Sequence, residues 1–147
     1  MGKLVECKIT VRDKHITHEG VDEGISEYQG EFICTENGYT IKYFEHEGEF
    51  ADMPIKILVM PPDTARIIRG GEMTYDFLLE AGKRHKCAYG TPFGILEMGV
   101  FTKKIESKMT ETGGKLNLAY TFDVGGGEIF DNELLIEVKE LPNVQNS

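Results

Sequence analysis

The chain of 147 residues contains no tryptophan, only three cysteines and five prolines, and no long apolar run. A transmembrane helix needs roughly 20 consecutive, mostly apolar residues, so the sequence predicts no helical membrane span. The cysteines, Cys7, Cys34 and Cys87, are widely spaced and form no CxxC pair, which argues against a disulfide framework and against a zinc site. We expect all three to be small, buried hydrophobic residues.

Positive charge is also scarce. The chain has 16 basic and 25 acidic residues, a formal net charge of −9. Such a field repels a phosphate backbone, and the one basic cluster, KRHK at 83–86, is typical of a solvated loop and strand start. The N-terminal sequence MGKLVECKIT lacks the apolar core of a signal peptide. We therefore predict a cytoplasmic protein with neither nucleic-acid nor membrane partners.

What the sequence does contain is repeated alternation of apolar and polar residues, which is typical of strands with one buried face. The first such segment carries Val5, Cys7, Ile9 and Val11 on its apolar face. Asn37 and Gly38 form the strongest short hairpin signal, since a type I′ turn needs positive φ at both central residues. The other breaks between the alternating segments contain glycine or proline. No stretch longer than about ten residues keeps the spacing of an amphipathic helix.

These segments amount to about eight to ten short strands in meander order. We predict an all-β fold with little helix, a single closed antiparallel up-and-down barrel that leaves no exposed sheet edge. Residues 1–142 are expected to form this one domain and residues 143–147 a frayed tail. A loop is predicted around residues 52–54. One or two helical turns are compatible with residues 19–26 and 80–83.

The motifs that resemble catalytic or phosphate sites have simpler explanations. HITHEG at residues 15–20 lacks the HExxH signature, so we interpret it as an exposed polar loop. The glycines at 125–127 are followed by Glu128 and Asp131, which would repel a phosphate, so a bend is predicted there. Cys87 shares a strand face with His85, an arrangement more typical of a core cysteine than of an activated thiolate. The sequence predicts no catalytic residue, no metal and no cofactor.

YGTPFG at residues 89–94 raises the same question. Thr91 has no base nearby in the sequence, and no basic residue lies inside the motif to hold a phosphate. Proline flanked by Gly90 and Gly94 is turn chemistry. We predict a hairpin corner that joins two long strands and directs Tyr89 toward the barrel interior.

Strand alternation points to a polar cluster instead. If Tyr43 faces inward, Glu45 does too, and if Ile67 faces inward, so does Arg69. A charge on an apolar face is costly unless it is paired. We predict that charged and tyrosine side chains meet inside the barrel or at its mouth, namely Tyr43, Glu45, Arg69, Tyr89 and Tyr120. This cluster is either a structural ion pair or the polar end of a ligand cavity.

The order of these features resembles the YwiB-like family of uncharacterised bacterial proteins. The features are the Tyr43-Phe44-Glu45 strand end, Arg69-Gly70, the YGTPFG turn, a tyrosine-bearing strand at Tyr120 and an apolar strand after Asn132. The resemblance implies a closed antiparallel barrel of the calycin, or lipocalin-like, kind. It implies no activity and no catalytic residue.

Three functions therefore stay open on the sequence. The first is binding of a small amphipathic or hydrophobic ligand inside the barrel by the five cluster residues. The alternative is a non-enzymatic structural or interaction module whose barrel is filled by side chains and which acts through its acidic surface. An enzyme that uses Glu45 and Arg69 for acid–base chemistry is the third. The oligomeric state is open.

Overall fold

Ten β-strands make up the regular structure of the described residues, 3–45, 53–71 and 74–142, in a computed structural model of the protein. The strands are β1 (Lys3–Thr17), β2 (Gly20–Thr35), β3 (Gly38–Glu45), β4 (Met53–Met60), β5 (Thr64–Arg69), β6 (Thr74–Glu80), β7 (Arg84–Thr91), β8 (Gly94–Thr110), β9 (Gly113–Val124) and β10 (Ile129–Glu140). The tail predicted at residues 143–147 lies outside the described residues.

The strands pair in chain order, and β1 pairs with β10 to close the barrel. All ten neighbouring pairs are antiparallel, so the predicted up-and-down barrel is confirmed. Short hairpins explain this order, because a tight turn returns the chain beside the strand that it has just left. YGTPFG is one of them: Pro92 and Phe93 form the turn, and the Thr91 hydroxyl donates to the Gly94 carbonyl oxygen at 2.8 Å.

The Asn37-Gly38 motif predicts the hairpin correctly, but the turn lies one residue earlier in the chain than predicted. The turn residues are Glu36 and Asn37, and Gly38 is already the first residue of β3. Gly38 has a φ of +150°, and a Cβ there would overlap the carbonyl oxygen of Val59. Glycine is needed at this position for the close approach of β4 as well as for the turn.

Four local expectations differ from the structure. Residues 20–26 extend β2, and within the HITHEG segment residues 15–17 belong to β1, with only His18 and Glu19 in the turn. Residues 80–83 form a strand end and a turn. Met53 begins β4, although a loop was expected at residues 52–54, of which residue 52 lies outside the described part. The register along β1 and β2 explains the first two differences, since the ladder supplies backbone partners that a local sequence window does not reveal.

The core consists of the inward-facing residues of all ten strands. Its fully buried side chains include Cys7, Ile9, Phe32, Ile41, Ile57, Leu79, Leu116, Leu118 and Ile136. They alternate with outward residues along each strand, as the period of two predicts. Cys7 is buried as expected, whereas Cys34 and Cys87 are half-buried. These side chains fill the middle of the barrel.

The two ends of the barrel differ. At one end the long β8–β9 hairpin reaches β3, where the Tyr39 hydroxyl lies 2.6 Å from the Ser107 hydroxyl. At the other end lie the last residues of β3 and β5 and the first of β6, among them Tyr43, Arg69 and Tyr75. We call this second end the tyrosine end. The ladder between β2 and β3 stops short of this end, because β2 pairs with β3 only from Gly30 onward. The ladder between β6 and β7 exists only at this end, where Thr74 and Tyr75 pair with β7.

Gly30 lies where β2 separates from β3. A Cβ at Gly30 would overlap the carbonyl oxygen of Lys42 and lie 2.5 Å from Ile9 Cδ1. Gly30→Ala is therefore expected to lower the free energy of unfolding by about 1–3 kcal/mol, the usual cost of overpacking. Chemical denaturation measures this loss. Gly127→Ala is the control, since its Cβ would meet only the Val124 carbonyl oxygen at 3.3 Å; equal losses in both variants would contradict the prediction.

Candidate functional site

Glu45 and Arg69 end two strands that are separated by β4, and both side chains point into the tyrosine end. Glu45 Oε1 lies 3.6 Å from Arg69 Nη1, and their side chains are 21% and 11% exposed. β3 and β5 both pair with β4, so residues in matching register on them share one inner face. The structure thus brings together the two charges that strand alternation placed on that face.

Arg69 has an unusual set of partners. Its Nη2 donates to the thioether sulfur of Met53 at 2.8 Å, a weak acceptor. A hydrogen bond also joins its guanidinium to the phenol of Tyr75. Its Nε is buried and has no hydrogen-bond partner within the described ranges. An unpartnered buried donor costs free energy, so this nitrogen is a position where a further acceptor would stabilise the protein.

Tyrosine rings surround this ion pair. Tyr28 stacks on Tyr43 with ring centroids 4.7 Å apart, and Tyr75 stacks on Tyr89 at 5.6 Å. Tyr75 also stacks on Phe77 at 4.2 Å, which connects the tyrosines to the apolar core. Tyr43 is almost fully buried, while Tyr28, Tyr75 and Tyr89 keep part of their surface exposed. The rings offer both apolar faces and hydroxyl groups to the same space.

The phenols are held in their neutral form. Burial raises the pKa of Tyr43 far above its usual value, and the charge of Glu45 adds to this effect. Burial also raises the pKa of Tyr75 to about 12, although the positive charge of Arg69 opposes the shift. The pKa of Tyr120 is raised mainly by burial, and then by electrostatic interaction with Tyr75 and Asp13. At neutral pH these hydroxyls can donate and accept hydrogen bonds.

All five residues of the predicted cluster therefore lie at the tyrosine end. Tyr43, Glu45 and Arg69 form its centre, Tyr89 joins through its stack on Tyr75, and Tyr120 joins electrostatically. The site also contains Tyr28, Met53 and Tyr75, which were not predicted from the sequence. Period-two alternation could have identified all three as inward-facing, because they share a strand face with the core residues Phe32, Ile55 and Phe77.

A second polar cluster lies on β1, β9 and β10 at the same end. His15 Nδ1 lies 2.7 Å from Asn132 Oδ1, and the imidazole stacks on Phe122 and Phe130 at 6.1 and 5.7 Å. Asn132 pairs across the sheet with Tyr120, and its Nδ2 is buried without a hydrogen-bond partner in the described part of the chain. The amide places another unused hydrogen-bonding group beside the tyrosines.

The other candidate motifs, the His85/Cys87 pair and the KRHK segment, make structural contacts. His85 Nε2 lies 2.8 Å from Glu80 Oε1, and burial followed by the charge of Asp76 raises the pKa of Cys87 to about 11, so its thiol stays protonated. The other basic residues of the KRHK segment each contact a carboxylate. The described residues contain no group of three or more metal-binding side chains. A search of the same residues for a membrane-spanning helix finds no candidate.

Among the clefts bounded by the described residues, two lie on the outside of the barrel and another lies at the end opposite the tyrosine end, beside Tyr39 and Ser107. One of about 380 Å³ lies where β2 separates from β3, between Gln29, Gly30, Tyr43 and Pro54. It touches the edge of the predicted cluster through Tyr43. A larger cleft of about 560 Å³ lies along β1, β2 and β10 and is lined by Arg12, Glu23, Ile25 and Leu135, among others.

The fold and this cluster define a ten-stranded antiparallel barrel with a polar, tyrosine-rich site at one end. The family model described as "Domain of unknown function (DUF1934)" matches residues 9–136, and the chain belongs to that family. The structure is similar to the crystal structure of ywiB protein from Bacillus subtilis, with a TM-score of 0.84 and 19% sequence identity over 94% of this chain and 93% of that one. The YwiB-like resemblance is thereby confirmed. A search of the curated proteins finds no match.

Proposed function

We propose that this protein binds a small amphipathic molecule at the tyrosine end of its barrel. The observation that carries the proposal is the Arg69 guanidinium, whose side chain is 11% exposed and whose buried Nε has no acceptor among the described residues. Folding a guanidinium into an apolar barrel without satisfying its donors is costly. A ligand oxygen beside Nε would remove that cost.

The surroundings of Arg69 favour an amphipathic ligand. Glu45 partly neutralises the guanidinium from 3.6 Å, so the site suits a polar group that accepts hydrogen bonds. The partly exposed rings of Tyr28 and Tyr89 provide apolar faces for the rest of the molecule. Ligand pockets commonly combine mostly apolar walls with a few converging polar groups.

The packed middle of the barrel limits the size of this ligand. Phe32, Ile41 and Leu118 are fully buried, and they lie on the same strands as Tyr28, Tyr43 and Tyr120, closer to the middle of the barrel. The ligand is therefore held at the barrel end and not along the whole axis, as it would be in a larger, open barrel. We therefore propose lipocalin-like ligand binding only at the end of the barrel, and not in a deep central cavity.

Binding of 8-anilinonaphthalene-1-sulfonate tests the proposal, since this probe joins a sulfonate acceptor to an aromatic body. We expect Arg69→Met to weaken binding by about ten-fold or more, because a hydrogen bond to a charged group contributes about 1.5–3 kcal/mol. Fluorescence titration measures the affinity. Arg66→Met is the matched control, since Arg66 lies on the same strand but faces outward and pairs with Asp76 at 2.7 Å.

Unchanged probe binding by Arg69→Met, together with lower thermal stability, would show that Arg69 only supports the fold. Native mass spectrometry of the protein taken from its own cells extends the test to the natural ligand. A retained mass that Arg69→Met loses and Arg66→Met keeps supports the proposal.

A second candidate function is a non-enzymatic interaction module that acts through its acidic outer surface. The observation that favours it is the filled barrel interior, combined with a formal net charge of −9. In that case the cluster at Arg69 is a structural ion pair, and neither binding of the probe nor binding of a cellular ligand depends on this cluster.

A further inference from the structure

The hairpin of β1 and β2 continues past the point at which β2 leaves β3, and we call this continuation the arm. β2 pairs with β3 only from Gly30 onward, while residues 20–29 pair with β1 alone among the described strands. β1 is held on its other side by β10 as far as Ile16. The outer edge of this arm is therefore residues 21–27 of β2, which we call the arm edge, and every one of them is exposed.

The turn of the hairpin indicates which backbone groups face outward. Thr17 and Gly20 are the closing pair around the His18-Glu19 turn, and such a pair is hydrogen bonded in a two-residue hairpin. The alternation of an antiparallel ladder then directs the backbone of the even-numbered residues of β2 toward β1. The N–H and C=O groups of Val21, Glu23, Ile25 and Glu27 point away from the barrel along the arm edge.

The arm edge is chemically suited to another strand. It has no proline and no lysine, two of the residues with which exposed edges are commonly protected. Val21 and Ile25 are 52% and 58% exposed on its outer face, and they alternate with Glu23 and Glu27. An edge that has no second strand partner among residues 3–45, 53–71 and 74–142 is a template for strand addition.

The charge of the arm edge determines which kind of strand can add to it. The arm edge contains Asp22, Glu23 and Glu27 and no basic residue. Lys8 of β1 lies 3.2 Å from Glu27 and partly neutralises it, so the acidic character of the outer face is strongest at Glu23. Antiparallel pairing of two copies would place both sets of carboxylates along one seam, and the net charge of −9 on each copy would add to the repulsion. An extended segment with lysine or arginine at alternate positions meets these carboxylates with opposite charge.

The geometry points to a docking site for a basic, extended polypeptide segment of another protein, which adds as a strand to residues 21–27 of β2. Backbone hydrogen bonds to the odd-numbered residues hold the segment, and its basic side chains lie opposite Glu23 and Glu27. This inference goes beyond the proposed ligand site, because it uses neither Arg69 nor the tyrosine cluster.

A short synthetic peptide that alternates lysine and valine tests the site. We expect it to bind the full-length protein and to slow hydrogen exchange of the amides of Val21, Glu23, Ile25 and Glu27. The same peptide with glutamate in place of lysine is expected to bind at least ten-fold more weakly. Replacing its alternate backbone N–H groups by N-methyl groups is expected to abolish binding, because those groups form the new ladder.

Two variants of the protein locate the contact. Ile25→Pro removes one outward N–H without removing a donor to β1 and is expected to weaken lysine-peptide binding at least ten-fold. Glu23→Lys combined with Glu27→Lys is expected to reverse the preference, so that the glutamate peptide binds better. The charge reversal remains informative even if Ile25→Pro fails to fold.

Several outcomes overturn the inference. Protection of the arm-edge amides in the protein alone would show that the edge is already covered. Equal binding of the N-methylated peptide would show charge attraction without strand addition. Self-association that Ile25→Pro abolishes, seen by sedimentation without peptide, would make a second copy the occupant.

Discussion

Phe32→Ala is expected to lower the free energy of unfolding by about 3–5 kcal/mol. Phe32 is fully buried on β2, packs in the central core and contacts the ring of Tyr39 with centroids 5.6 Å apart. Truncation removes the transfer free energy of the ring and leaves a cavity that a closed barrel cannot collapse easily, because each wall strand is hydrogen bonded on both sides. Urea denaturation followed by circular dichroism measures the loss.

The chain provides a control of the same residue type. Phe44 lies on the adjacent strand β3, faces outward and is 54% exposed. Phe44→Ala is expected to change the stability by less than about 1 kcal/mol, since little apolar surface returns to water. Typical domains have a total stability of about 5–15 kcal/mol, so Phe32→Ala should remove a large share of it. Similar losses in both variants would contradict the core described above.

Alkaline pH is expected to destabilise the protein strongly. Burial raises the pKa of Tyr75 and of Tyr39 to about 12, and it raises the pKa of Tyr43 and Tyr120 still further. In the unfolded chain a tyrosine ionises near pH 10. Between the two values the unfolded state loses protons that the folded state retains, so stability falls as the pH rises above about 10.

The size of this effect follows from the number of groups. Each phenol contributes about 1.4 kcal/mol of lost stability for each pH unit between its unfolded and folded pKa. Tyr39, Tyr43, Tyr75 and Tyr120 together should therefore reduce the stability by about 5 kcal/mol at about pH 11. Cys7 adds to the loss, because burial raises the pKa of its thiol to about 11.

Denaturation midpoints measured from neutral pH to about pH 12 test this dependence. Tyr43→Phe removes one of the shifted phenols and is expected to make the decline shallower above about pH 10, whatever it does to the stability at neutral pH. Tyr89→Phe serves as the comparison, because Tyr89 is a more exposed ring at the same end of the barrel, stacked on Tyr75. A stability that stays constant up to about pH 12 would be incompatible with the buried phenols.

Much of the candidate site was predictable from alternation alone. Tyr43 and Glu45 are two residues apart on one strand, as are Ile67 and Arg69, so a period of two places both charges on the inner face. Alternation also places Tyr28 and Tyr75 inward, but it cannot say which inward residues share one level of the barrel. That depends on the register between strands and on the shear of the closed sheet.

The sequence by itself determined the class of fold. Repeated period-two segments joined by tight turns leave few alternatives to an antiparallel meander, and a meander of this length closes to satisfy its edges. The YGTPFG corner and the apolar faces of the strands follow from the same local chemistry.

The tertiary structure decided what local patterns do not contain. It extended β1 and β2 into an arm through residues 15–27, made Met53 a strand residue, and stacked Tyr75 on Tyr89. The physical reason is that pairing partners lie far apart in the chain: β1 and β10 are the first and last strands, and their register fixes the whole barrel. The ion pair of Glu45 and Arg69 joins strand ends whose meeting only the closed sheet determines.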